Sequence, residues 1–185
     1  MAMIEKGVEV EPTTVDPWTD APRLRAANPA TRVPTLVLDD GTALTESLLI
    51  VQWLEATRPE VPSLLGKDPA GVLSRAGVAL GVIDAAAVTI ITRKVTAPAL
   101  FDETPVGLRR RRSMVEGVER LEAMAAGGAL GAGKPPTLDL LAALDALDYL
   151  DFRFAGAPWL PELPSLRVLA ASMADRPSVA RTRPH

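Results

Sequence analysis

Three short pieces of this chain carry residues whose types and spacing could do chemistry: Arg32-Val33-Pro34, Glu46-Ser47 and the run Arg109 to Arg112. Pro34 opens the apolar run Pro34-Thr35-Leu36-Val37-Leu38, and a proline cannot donate to a sheet ladder. Its presence there has either an edge-strand reason or a ligand reason. Glu46-Ser47 opens an apolar helical segment, where unpaired N–H groups and the positive end of the helix dipole attract a carboxylate. Ser47 adds a hydroxyl, and Glu46 offers the opposite charge to an ammonium. Read alone, Ser47 is first of all a helix cap and Pro34 an edge-strand device, since caps far outnumber ligand sites. The four arginines, on a helix, point in four directions and read as a solvated or partner-facing surface rather than a phosphate-binding patch.

Other chemistries are closed by composition. There is no cysteine, which removes disulfides, thiolate metal sites and a cysteine nucleophile together. The one histidine, His185, ends the chain, so neither a histidine base nor a clustered metal site is expected. A net charge of -3 argues against general nucleic-acid binding. No uninterrupted apolar run of membrane-spanning length is evident and the start, MAMIEKGVEVE, lacks a signal-peptide core, so the expected address is the cytoplasm, away from membranes.

The elements that must position these residues fall into two stretches. Residues 1–60 mix strand and helix signals: alternation over Val8-Glu9-Val10-Glu11 predicts a strand, and Asp16 to Ala27 a short irregular helix. Pro34 to Leu38 predicts a strand, Asp39-Asp40-Gly41 a hairpin turn, and Thr42 to Thr45 a short return. A helix follows from Glu46, with Leu49, Ile50, Trp53 and Leu54 at helical spacing. Residues 67–185 are rich in Ala, Leu and Arg and read as all helical. A long helix is expected over about Pro69 to Thr96, with Leu73, Gly77, Leu80, Asp84, Val88 and Ile91 on one side and Pro98 beyond its end. A second spans about Pro105 to Ala126, before a glycine-rich connection through Gly133. A third is capped by Thr137, and a shorter one covers Leu163 to Ala174. Asp84 on an apolar stripe must cap, pair, or face a cleft or dimer seam. Trp53 and Trp159 read as core residues.

The order of elements, with "NPATRVPTLVLDDGTALTESLLIVQWLE" at its front and "LDFRF" and "MADRPSVARTRP" near its end, resembles the glutathione S-transferase family. The resemblance implies a partial thioredoxin-like N-terminal domain (1–60) followed by an all-helical C-terminal bundle (67–185). It implies that glutathione is the co-substrate. The Val33–Pro34 bond would be cis, leaving the Val33 backbone to pair with the cysteinyl unit as an added strand would. Glu46 and Ser47 would read the ammonium and carboxylate of the γ-glutamyl end. Arg32 would contact the distal glycine carboxylate, although a solvated arginine is an equal reading there. An apolar electrophile as second substrate and a homodimer follow from the same resemblance.

The resemblance also carries a discrepancy. The family's thiolate-activating Ser, Tyr or Cys ends a first strand, whereas Met1 to Gly7 already resembles the last turn of the first helix. Roughly 20 residues, a strand plus a helix, would be missing. The expectation is therefore a truncated member with no assignable catalytic residue and an open edge in its sheet. A non-catalytic glutathione-fold binding or interaction module is the alternative. Leu140 also stands where a capping-box acid would follow Thr137, with the acid at Asp139 instead.

Overall fold

The computed structural model describes residues 1–96, 101–131 and 135–183; the expectations at Pro98, Gly133 and His185 lie outside them. The chain divides into two compact units, Ala2–Ser63 and Leu64–His185, the second joined by Met1.

The first unit begins with the short helix α1 (Ala2–Glu5), which Gly7 ends in the left-handed region at φ 65°. A 3-10 turn (Pro17–Thr19) and α2 (Pro22–Ala27) follow, the turn capped by Asp16 accepting the Trp18 N–H at 2.9 Å. Strands β1 (Thr35–Val37) and β2 (Ala43–Thr45) form an antiparallel hairpin in which Leu36 faces Leu44. The turn forms where Asp40-Gly41 predicts it. Gly41 takes φ 87°, and the Asp40 carboxylate accepts the Thr42 N–H at 2.8 Å, a bond that holds its pKa below the ordinary value. Helix α3 (Ser47–Thr57) buries Ile50, Val51 and Leu54. Lys6, only 1% exposed, ties α1 to the end of α3: its Nζ pairs with Glu55 at 3.0 Å and donates to the carbonyls of Val61 and Pro62.

The strand expected at Val8 to Glu11 does not form. The segment has no regular structure, and among the described residues the only sheet is the two-stranded β1–β2 pair. Side-chain alternation cannot make a strand without a neighbouring edge within hydrogen-bonding reach.

The second unit is helical: α4 (Pro69–Val95), α5 (Pro105–Ala126), α6 (Leu138–Phe154), α7 (Pro164–Met173) and α8 (Pro177–Ala180). Both long helices start with proline at the first position behind a capping oxygen, Asp68 for α4 and Thr104 for α5. Helix α6 is central, with eleven of its seventeen residues buried, and Leu140 and Leu144 pack with Met173 and Val179. Helices α4 and α5 meet at Gly117, where a Cβ would collide with the Val82 side chain. Thr137 occupies the cap position of α6, but its hydroxyl makes no capping bond, contrary to the expectation. Asp139 does more than complement the dipole. It is 1% exposed, accepts the Arg75 Nε–H of α4 at 2.6 Å and takes the Leu140 N–H at 3.0 Å. At the start of α7, Glu122 accepts the N–H groups of Ser165 and Leu166, each at 2.8 Å.

Two further expectations resolve here. Helix α4 is long and apolar enough to cross a membrane, with a window of mean hydropathy 1.6, although polar residues interrupt its apolar run. Its apolar residues divide between a core face (Val72, Ala76, Ala79, Val82) and an outward stripe that includes Leu73 and Ile91. Asp84, on that stripe, pairs with Arg110 at 2.9 Å. Arg111 and Arg112 pair with Glu103 and Glu116, so the arginine run is spread over separate acidic partners.

Candidate functional site

The candidate site lies in the first unit, around the loop from Asn28 to Pro34 and the start of α3. Asn28 builds the loop. Only 6% exposed, it accepts the Ala30 N–H at 3.0 Å and donates to the Arg32 carbonyl at 3.0 Å and to Thr35 Oγ1 at 3.2 Å. Thr35 in turn donates to the same Arg32 carbonyl at 2.8 Å. These bonds fix the backbone on both sides of Val33–Pro34, whose peptide is cis. Val33 is 54% exposed, so its neighbourhood is open to a ligand. Neither Asn28 nor Thr35 was singled out from sequence, although Asn-Pro followed by a threonine is a turn signal of the kind an asparagine side chain organises.

Glu46 is the N-cap residue of α3 and has φ 67°, ψ 126°, with no capping bond from its side chain. A positive φ is uncommon for glutamate, costs about 1–3 kcal/mol, and is concentrated at functional sites. The conformation leaves its carboxylate free to meet Arg32, whose Nη1 lies 2.9 Å away, with both side chains about half exposed or more. The structure therefore brings Arg32 and Glu46 together, whereas the sequence places them at opposite ends of a ligand. Ser47 is the first residue of the helix and is exposed. The first helical bond is Ile50 N–H to the Glu46 carbonyl, so the N–H groups of Ser47, Leu48 and Leu49 stand at the open helix end. Ser47 is not the cap. Trp53 is partly buried rather than fully core, and Trp159 packs edge-on against Phe154 at 5.4 Å. Among the described residues no group of His, Cys, Asp and Glu has the arrangement to hold a metal ion.

The chain that carries this arrangement is similar to known proteins. The family model for the glutathione S-transferase N-terminal domain covers residues 1–57. A solved glutathione S-transferase from Methylobacterium radiotolerans, in complex with glutathione sulfonate, aligns with a TM-score of 0.85 and 30% identity, over 100% of this chain and 87% of that one. The chain belongs to the glutathione S-transferase family. An uncharacterized GST-like protein of Escherichia coli, YibF, is 29% identical over 98% of this chain and 90% of its own length. A probable maleylacetoacetate isomerase of Caenorhabditis elegans is 46% identical over 71 residues, so the match spans 32% of that protein's length.

The partial thioredoxin-like unit followed by a helical bundle is thus the glutathione S-transferase fold. The description of a truncated member is not borne out: the chain aligns over its whole length, and both the hairpin-to-helix segment and the bundle are present.

Proposed function

We propose that the first unit binds glutathione and that the protein is a glutathione transferase acting on an apolar electrophile. The observation that carries this reading is Glu46, held at positive φ at the open end of α3 and paired with Arg32, the residue before the cis Val33–Pro34 peptide. On binding, the ligand's α-ammonium replaces Arg32 as the partner of Glu46, and Arg32 turns to the ligand's distal carboxylate. The exchange is inexpensive because the Arg32–Glu46 pair is solvated. Ser47 and the helix N-terminus take the γ-glutamyl carboxylate, and the Val33 backbone pairs with the cysteinyl unit. Solved relatives crystallised with glutathione sulfonate or glutathione support the choice of ligand.

Calorimetric titration with glutathione tests it. Glu46→Ala should weaken binding by about tenfold to a hundredfold, the worth of a hydrogen bond to a charged group. Equal affinity in that variant removes the site assignment.

A second reading, a non-catalytic glutathione-binding module, has one observation in its favour. The chain has no cysteine and its one tyrosine, Tyr149, is in the bundle. In the first unit the hydroxyls of Thr19, Thr35, Thr57 and Ser63 already donate to protein oxygens. Of the ten Ser and Thr hydroxyls of that unit these four are engaged and unavailable to stabilise a thiolate. Glutathione binding without conjugation of a general aryl electrophile would select this reading.

The proposed working form is a cytoplasmic homodimer. Leu73 and Ile91 are exposed on α4, and Gly77 and Gly81 between them have open space above them. This is an apolar stripe that a second helix can approach closely. Light scattering should find a dimer for the parent and a monomer for Leu73→Glu/Ile91→Glu; a dimer surviving both changes places the seam elsewhere.

A further inference from the structure

We propose that the Thr31 hydroxyl is a ligand contact that, with the Arg32 guanidinium, recognises the distal carboxylate of glutathione; this rests on the glutathione reading of the site. Among the described residues, three other than glycine hold a positive φ: Asp20 at 49°, Thr31 at 50° and Glu46 at 67°. Aspartate visits the left-handed region readily, because its short polar side chain bonds the local backbone. Threonine does not, and a β-branched residue at positive φ is an outlier. Strain of this kind is concentrated at ligand clamps and other functional sites. Thr31 and Glu46 lie in the two segments that form the candidate site, and Arg32, the residue after Thr31, pairs with Glu46 at 2.9 Å.

The backbone around Thr31 is fixed from both sides. Its N–H donates to the Asn28 carbonyl at 2.8 Å, closing a turn, and the next carbonyl, that of Arg32, accepts from Asn28 Nδ2 and from Thr35 Oγ1. These bonds over-determine the conformation, which is how a strained residue persists. A glycine at position 31 would make the same turn without the steric cost. What threonine adds is a hydroxyl. Among the described residues that hydroxyl makes no hydrogen bond, whereas the Thr35 hydroxyl is spent on closing the loop. Thr31 is only half-buried, which leaves it within reach of a ligand.

The order of the ligand's parts brings its distal end to this hydroxyl. The hairpin register sets Thr35 opposite Thr45, so Glu46, one residue past Thr45, stands near the level of Pro34, one before Thr35. With the γ-glutamyl end at Glu46 and the cysteinyl unit at Val33, the ligand continues away from Glu46, past Arg32 and toward Thr31. An extended residue advances about 3.3 Å, so the carboxylate one residue beyond the cysteinyl unit falls beside these two side chains. A carboxylate has acceptor sites for more than one donor. Arg32 brings charge on a long and 67% exposed side chain, and Thr31 brings a short donor on a fixed backbone. The guanidinium attracts and the hydroxyl positions. Together they select glutathione over γ-glutamyl thiols that end at the cysteine.

Calorimetric titration of the full chain tests the assignment with two ligands, glutathione and γ-glutamylcysteine amide, which lacks the glycine and its carboxylate. Thr31→Gly keeps the left-handed turn and removes only the side chain. It should weaken glutathione binding by about tenfold, the worth of a hydrogen bond to a charged group, and leave affinity for the amide within about twofold. Thr31→Ser, which restores the hydroxyl, should bind glutathione within about threefold of the parent. Glu46→Ala should weaken both ligands, because both keep the ammonium. Glutathione bound as tightly by Thr31→Gly as by the parent overturns the proposal and leaves the glutathione reading standing. An equal loss for both ligands, or a loss that Thr31→Ser does not recover, overturns it in favour of a purely structural role for Thr31. A parent chain that does not bind glutathione removes the glutathione reading itself, and this proposal with it.

Discussion

The two units solve the problem of holding a shape in different ways. The helical unit spends apolar surface: α6 is buried along most of its length, and Leu140, Leu144, Met173 and Val179 close one contiguous cluster. The first unit has only Leu24, Ile50, Val51 and Leu54 as buried apolar side chains and a sheet of two strands. It is held at polar points instead, by Lys6 at one end and Asn28 at the other. A shape fixed by a few directional bonds leaves surface and backbone uncovered, and that is where the candidate binding residues are. Sites that must admit a ligand are commonly drawn from such less densely packed regions.

The contrast can be broken most severely in the bundle, at the ion pair of the buried Asp139 with Arg75. Arg75→Met strands the Asp139 carboxylate without its cationic partner and should destabilise the bundle by about 3 kcal/mol. Denaturant unfolding followed by far-UV circular dichroism reads the loss. A change of less than about 0.5 kcal/mol, the range of surface changes, would mean that apolar packing alone carries that unit. Asn28→Ala probes the opposite strategy. It removes three hydrogen bonds from a loop with little apolar support, and should cost about 2 kcal/mol locally and lower glutathione affinity through the loop's position. Amide exchange at Thr31 and Leu36 together with calorimetry measures both; unchanged exchange would show the loop to be held by something else.

The smallest effect concerns pH. Burial works against the ionised form of Glu122, but the N–H groups of Leu166 and Ser165 outweigh it and hold the pKa below the ordinary value. The folded pKa is depressed, so the stabilisation is present above the ordinary carboxylate value near 4.5 and is lost as pH falls through the lower folded value. Glu122→Gln should therefore lower stability by about 1 kcal/mol at pH 7, the usual worth of a helix cap. The difference from the parent should shrink in acid. A difference that stays constant from pH 7 to pH 3 excludes the carboxylate as the cause.

Much of this architecture was legible because local signals and tertiary demands agree. Proline behind a capping oxygen marks the starts of α4 and α5, Asp40-Gly41 marks the turn, and the spacing of Leu140, Leu144, Leu147 and Leu150 marks the face of α6. At the site, Val33, Pro34, Glu46 and Ser47 could be named from their order in the chain. The Arg32–Glu46 pairing could not, because it depends on the backbone angle at Glu46, and no residue type announces a positive φ in glutamate. Val8 to Glu11 misled for a related reason: alternation describes which way side chains point, whereas a strand exists only where another edge is in register. Asn28 was hidden by its polarity, since burial of an asparagine depends on partners several residues away. Thr137 looked like a cap, and the carboxylate that matters there, Asp139, reaches another helix.

Lys6 gives the first unit a chemical clock. Its amine is enclosed by Glu55 and two carbonyls, whereas Lys67 and Lys94 stand on the surface. An acylating reagent in the native protein therefore modifies the surface amines first and reaches Lys6 only in molecules whose α1–α3 tie has come apart. The rate at which that one amine is labelled, read by mass spectrometry, counts the openings of the unit without a ligand or an assay of activity.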